Sequence, residues 1–162
     1  MGTLFRSRLV VLMIALLVLV LSCTVQVQEI KVEGAGLESQ LLVGVIRTSS
    51  FKNTIVDGIV DEYRAICSIE VVRAANMPDI AADTYDAVVL VDEIRGGMRL
   101  NGKLKSIIDE SATQKIVVFL TAGDAENEYS YGGFDAITSA SQNDAAQEAI
   151  QRIAVKIDGM LE

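Results

Sequence analysis

L-L-V-G-V-I, Leu41 to Ile46, is an almost wholly apolar run of strand length, the pattern of a strand buried on both faces. Downstream, Ile55, Val56, Ile59, Val60, Tyr63 and Ile66 recur with helical period, and Ile69 to Val72 reads as a second strand. This strand-helix-strand unit decides the fold. Outward from it, Tyr85 to Val91 is a third strand, Ile116 to Leu120 a fourth and Phe134 to Ser139 a fifth. Leu100, Leu104, Ile107 and Ile108 mark a second helix. Asp144 is placed to cap a last helix, with Gln147 completing a capping box and Ala145, Ala149, Ile153, Ile157 and Met160 as its buried stripe. Strands separated by helices predict one α/β domain with a parallel sheet. Two connections are poor in helix: Arg73 to Thr84, where Pro78 starts at most one turn, and Thr121 to Gly133, which has no helical stripe.

The composition excludes several classes. Half the residues (51%) are hydrophobic and there is one proline, so the chain is neither disordered nor low-complexity. Fourteen basic against 22 acidic residues give a net charge of −8, which offers no electrostatic footprint for nucleic acid. The absence of histidine removes His-based triads, metal sites and pH switches. No G-x-x-x-x-G-K-[ST] occurs, and Asp124, Glu126 and Glu128 miss the EF-hand offsets, so no metal site is expected.

Arg6 and Arg8 precede thirteen apolar residues, Leu9 to Leu21. That length suits a signal-peptide core and falls short of the roughly 20 residues a spanning helix needs. V-L-S-C at 20–23 resembles a bacterial lipobox. The resemblance implies cleavage before Cys23 and lipidation of that cysteine (diacylglycerol, palmitate). The expected organisation is a signal peptide over 1–22, a lipidated tether over 23–39 and a domain over 40–162, held outside the cytoplasm at the bacterial cell membrane or outer membrane. An uncleaved anchor and a soluble secreted protein are the alternatives. Gly34 and Gly36 precede the first strand, so they form no dinucleotide fingerprint. Cys67 reads as a buried small hydrophobe at a helix end.

In an open parallel sheet, ligands bind beyond the carboxyl ends of the strands. Three loops qualify: Arg47 to Thr54, an anion cradle or an ordinary N-cap; Asp92 to Met98, a close-approach loop or an ordinary Gly-Gly turn; and Thr121 to Gly133, a ligand wall or a solvated acidic loop.

On these residues the chain resembles the flavodoxin-like family over about residues 40–162. G-D-x-x-x-E-Y at Gly123, Asp124, Glu128 and Tyr129 is similar to that family's second flavin-ring loop. Y-D-A-V-V-L at 85–90 followed by I-R-G-G resembles its third strand and first ring loop. Ser49, Asn53 and Thr54 resemble its phosphate loop, with Lys52 at the family's glycine and Phe51 at a threonine. The resemblance implies a doubly wound five-stranded parallel sheet in the order 2-1-3-4-5 with reduced helices. It also implies FMN as cofactor, with Ser49, Ser50, Asn53 and Thr54 at the phosphate and Arg95, Gly96, Gly97, Gly123, Asp124 and Tyr129 beside the ring. D-A-I-T-S-A-S, Asp135 to Ser141, resembles a site of covalent FMN attachment, which would fall on Ser141. Two functions follow as expectations: a membrane-anchored electron-transfer lipoprotein with a protein redox partner, or a cofactor-free binding module on the same fold. No reaction, and so no enzyme class, is assigned.

Overall fold

The computed structural model describes residues 27–32, 37–77, 84–95, 99–111, 115–123 and 129–162. Seven strands form one sheet: β1 (Ile30–Val32), β2 (Ser39–Val45), β3 (Cys67–Arg73), β4 (Ala87–Glu93), β5 (Ile116–Ala122), β6 (Tyr129–Tyr131) and β7 (Phe134–Ala140). Their order is β1-β3-β2-β4-β5-β7-β6. The expected five-stranded sheet is thus corrected to seven. The inner strands β3, β2, β4, β5 and β7 pair parallel, while β1 and β6 add antiparallel at the two edges. Three α-helices are present among the described residues: α1 (Ser50–Tyr63), α2 (Gly102–Glu110) and α3 (Ala146–Leu161).

Burial on both faces accounts for the apolar runs. Leu41, Val43, Val45, Ala87, Val89, Val91, Val117 and Phe119 belong to the cluster under α1 and α3. The alternate residues Leu42, Val88, Leu90, Val118 and Leu120 belong to the cluster under α2. On the first face, Phe51, Ile55 and Ile59 of α1 meet Ala149, Ile153 and Ile157 of α3. Gly58 lets the helices approach, since a Cβ there would lie 2.3 Å from Ile150 Cδ1. The Tyr63 hydroxyl donates to Asp158 Oδ1 at 2.7 Å, joining the ends of α1 and α3.

The second face is covered differently. α2 supplies Leu104, Ile107 and Ile108. Beside it, Phe134 of β7 lies in the core and Tyr129 and Tyr131 of β6 pack against it, where the sequence showed no helix. They leave an apolar cavity of about 10 Å³, room for about one water. The Tyr131 hydroxyl lies 3.1 Å from Asp109 Oδ1, and Lys105 Nζ sits 5.1 Å from its ring centre, so α2 holds the hairpin down. Gly132 and Gly133 join β6 to β7 with φ of 62° and 89°, the left-handed pair that a two-residue hairpin turn requires.

The expected tether is corrected in part. Ile30, Lys31 and Val32 pair with Val71, Glu70 and Ile69, and Val27 is buried in the core. The Glu29 carboxylate accepts from the Arg73 N–H at 3.2 Å and from Asn76 Nδ2 at 2.9 Å. The Arg73 N–H, then Asn76, hold its carboxyl below the ordinary value against a smaller effect of burial. Three residues are too few to announce a strand by alternation; the clasp by Glu29 and the open edge of β3 order them.

Two local expectations also change. The capping box at Asp144 does not form. Asn143–Ala145 make a 3₁₀ turn, Ala145 N–H bonds the Gln142 carbonyl at 3.0 Å, and α3 starts without a side-chain cap. Cys67 opens β3 instead of closing a helix; it is buried, and burial pushes its thiol up. Pro78 and the expected signal peptide, with Cys23, lie outside the described residues. No helix among those described is long and apolar enough to cross a membrane.

A side chain at Gly133 meets no atom within 4 Å, so its cost would be backbone strain alone. Gly133→Val is expected to destabilise the domain by about 1–2 kcal/mol, the cost of a left-handed residue with a Cβ. Urea unfolding followed by circular dichroism checks this; an unchanged midpoint would mean that the turn tolerates another conformation.

Candidate functional site

β2 and β4 are neighbours, while β3 continues to one side and β5 to the other. Their carboxyl ends therefore flank the point where strand order reverses. Beyond β2 the chain turns at once into α1. Ser49 is the N-cap, with extended backbone (φ −156°, ψ 164°), and its Oγ accepts the Lys52 N–H at 3.2 Å. The Asn53 N–H bonds the Ser49 carbonyl at 2.9 Å, and Thr54 Oγ1 donates to the Ser50 carbonyl at 3.2 Å. Ser49, Ser50, Asn53 and Thr54 thus form the cap and first turn of a helix, not an open loop. The reason lies in the next side chains: Phe51 and Lys52 are drawn into the protein, which starts the buried stripe of α1 before Ile55.

Lys52 is 1% exposed. A buried ammonium needs a partner, and Lys52 Nζ donates to Glu93 Oε2 at 2.9 Å. The other Glu93 oxygen accepts from Arg47 Nη1 at 3.2 Å and from Arg95 Nε at 2.6 Å. One carboxylate at the end of β4 gathers three cations. Burial alone would raise the Glu93 carboxyl; the hydrogen bonds from Lys52, Arg95 and Arg47 outweigh it and hold it at about 2. Its neighbour Asp92 is shut from solvent, with Arg47 Nε 3.7 Å from Oδ1. Neither Asp92 oxygen accepts a hydrogen bond. Burial pushes this carboxyl up, against the Glu93 N–H, Arg47 and Lys52.

Past β4, Ile94 N–H bonds the Thr121 carbonyl at 2.8 Å, and Arg95 forms an isolated antiparallel bridge with Arg99. An open cleft of about 410 Å³ runs along the carboxyl ends of β4, β5 and β7, with Glu93 and Arg95 on one wall and Ser141 and Gln142 on the other. Of the expected residues, Arg95, Gly123 and Ser141 share this cleft. Tyr129 does not; it lines the apolar cavity beneath the hairpin. Gly96, Gly97 and Asp124 lie outside the described residues. Asp92, Glu93 and Gln142 were given no role from sequence. Two acids closing an apolar strand, V-V-L-V-D-E, were the available signal, as was a lysine in phase with Val56 and Ile59 on α1. Among the described residues, no three His, Cys, Asp or Glu side chains are grouped to hold a metal ion.

Glu93 is held at about 2, below its ordinary 4.5, so its contribution to stability is full above pH 4.5 and lost as pH falls through 2. Glu93→Gln leaves a buried ammonium without its anion and is expected to cost about 3 kcal/mol at pH 7. The gap to wild type should close between pH 4.5 and 2, read by urea midpoints across that range. Asp92 works in the opposite sense: its raised carboxyl loses stability as pH climbs past its ordinary 3.8. Asp92→Asn should therefore match or exceed wild-type stability at pH 7; a large loss would show that its charge is needed by the fold.

No known family model matches the sequence, and no curated protein matches it. Solved structures do. Oxidised Flavodoxin 1 from Bacillus cereus is similar over 74% of this chain and 98% of its own, with a TM-score of 0.54 and 16% identity. A flavodoxin from the domain Archaea is similar over 76% of this chain and 99% of its own, with a TM-score of 0.53 and 9% identity. At such identities the likeness is one of fold: the chain has a flavodoxin-like α/β fold.

Proposed function

We propose that this protein is a membrane-anchored binding domain, a flavodoxin-like frame that works without a flavin. The observation that carries the reading is Lys52. It stands at the position where the resemblance expects a phosphate-loop glycine, and its side chain turns inward to the Glu93 carboxylate. Of the groups expected at that phosphate, the Asn53 N–H is in the helix, Thr54 Oγ1 donates to the Ser50 carbonyl, and Ser49 Oγ is turned to the Lys52 N–H. Tyr129, expected beside the ring, faces the α2 side of the sheet. The described residues do not fit FMN at this position, and no electron-transfer step is derived through it.

The anchor in this proposal is Cys23, lipidated after cleavage of residues 1–22, with the domain outside the cytoplasm at the cell membrane or outer membrane. The apolar run Leu9 to Leu21 and the V-L-S-C that overlaps its end support it. An FMN-carrying electron-transfer domain is the second reading. It is favoured by the open cleft at the carboxyl edge, whose β4 and β7 ends carry Arg95 and Ser141.

One titration separates the two. Protein purified from its native membrane is expected to be colourless and to leave the fluorescence of added FMN unchanged. Saturable quenching near one equivalent would overturn the cofactor-free reading, and flavin that stays with the pellet after acid precipitation would place it on Ser141. Intact mass of the membrane-extracted protein tests the anchor. A diacylated chain beginning at Cys23 is expected, and Cys23→Ala should abolish the lipid; a lipid-free chain still beginning at Met1 would remove the anchor from the proposal.

A further inference from the structure

Arg95 and Arg99 are directly opposed in an antiparallel bridge. Bridged residues project their side chains to the same face, with Cβ atoms about 4.5–5.5 Å apart, and like charges so placed repel. Both are exposed, and Arg99 has no acidic partner among the described residues. Arg95 is held in place: Glu93 takes its Nε at 2.6 Å, and Lys52 and Arg47 hold Glu93 in turn. That bond engages Nε and leaves the terminal nitrogens as donors. Three cations (Arg47, Lys52 and Arg95) meet Glu93 and the buried Asp92, and Arg99 stands opposite Arg95, so among the described residues this strand end holds more cations than acids within a chain of net charge −8. Across the cleft stand Ser141 and Gln142, each able to donate a hydrogen bond. The volume, about 410 Å³, is that of a small-molecule site.

We propose that this cleft binds the oxyanion group, carboxylate or phosphate, of a small organic acid, held by the Arg95 guanidinium on its wall, with Arg99 opposed to Arg95 beside the cleft, and met by Ser141 and Gln142 on the far wall. The ligand relieves the repulsion between the two arginines, and the ion pairs at Glu93 spare it the cost of orienting Arg95. The proposal rests on the binding-domain reading and names its ligand class.

Calorimetric titration of the whole domain with citrate and, separately, with inorganic phosphate tests it and tells the two sources of the oxyanion apart. Saturable binding of at least one, weakening as salt is raised, is expected. Arg95→Gln and Arg99→Gln should each weaken it by about tenfold, the loss of roughly one charge-assisted hydrogen bond. Both side chains are exposed, so thermal unfolding of the variants should stay near wild type. Arg64→Gln, which removes an exposed charge near the start of β3, should bind as wild type. Absence of binding by both probes, or an equal loss in the Arg64 variant, overturns the proposal. FMN binding that survives in both arginine variants would overturn the cofactor-free reading and leave the oxyanion result to stand by itself.

Discussion

An ammonium group removed from water must find an anion, and Lys52 finds Glu93 41 residues further along the chain. That requirement joins the start of α1 to the end of β4 across the crevice between the two central strands. Helix α1 begins at Ser50 because Ser49 caps it and Phe51 and Lys52 are buried within its first turn. With the turn wound so early, the Lys52 and Asn53 amides are taken by the Oγ and the carbonyl of Ser49. The same carboxylate then reaches outward to Arg47 and Arg95. One carboxylate thereby ties the first turn of α1, the end of β4 and an exposed arginine together.

Asp92 adds a second constraint. Its carboxyl is closed off and neither oxygen is hydrogen-bonded, an arrangement that costs stability when the group is ionised. It lies between a core that would prefer an apolar side chain and a rim crowded with cations. A residue there that disfavours folding and faces a positive site is what the strand end looks like when stability is not its only requirement.

The strands were legible wherever both faces of the sheet are buried. Leu41 to Ile46, Ala87 to Val91 and Ile116 to Leu120 are apolar runs because successive side chains enter two different clusters. The helices were legible through their stripes. The edge strands were not. β1 is three residues long, and its order comes from Glu29 reaching Arg73 and Asn76, a tertiary event with no local signature. β6 did carry a sign, the alternation and paired glycines of Y-S-Y-G-G-F, hidden behind the acidic stretch before it. Arg95, Gly123 and Ser141, expected from loop placement and from resemblance, share one cleft because strand ends converge wherever the sheet is parallel. The role of Lys52 was not legible, because hydropathy places lysine outside and only a distant carboxylate reverses that.

The direction of β1 bears on how the domain would stand on a surface. β1 runs antiparallel to β3, so the chain enters beside Arg73 and Asn76, at the carboxyl edge that also carries the cleft. Cys23 precedes the buried Val27 by four residues, a reach of at most about 14 Å at 3.3–3.6 Å per residue. With a lipid on Cys23, as proposed, the entry edge would be moored within that distance of the headgroups. The mouth of the cleft would then open on the narrow layer of water next to the bilayer, and what reached it would be drawn from there.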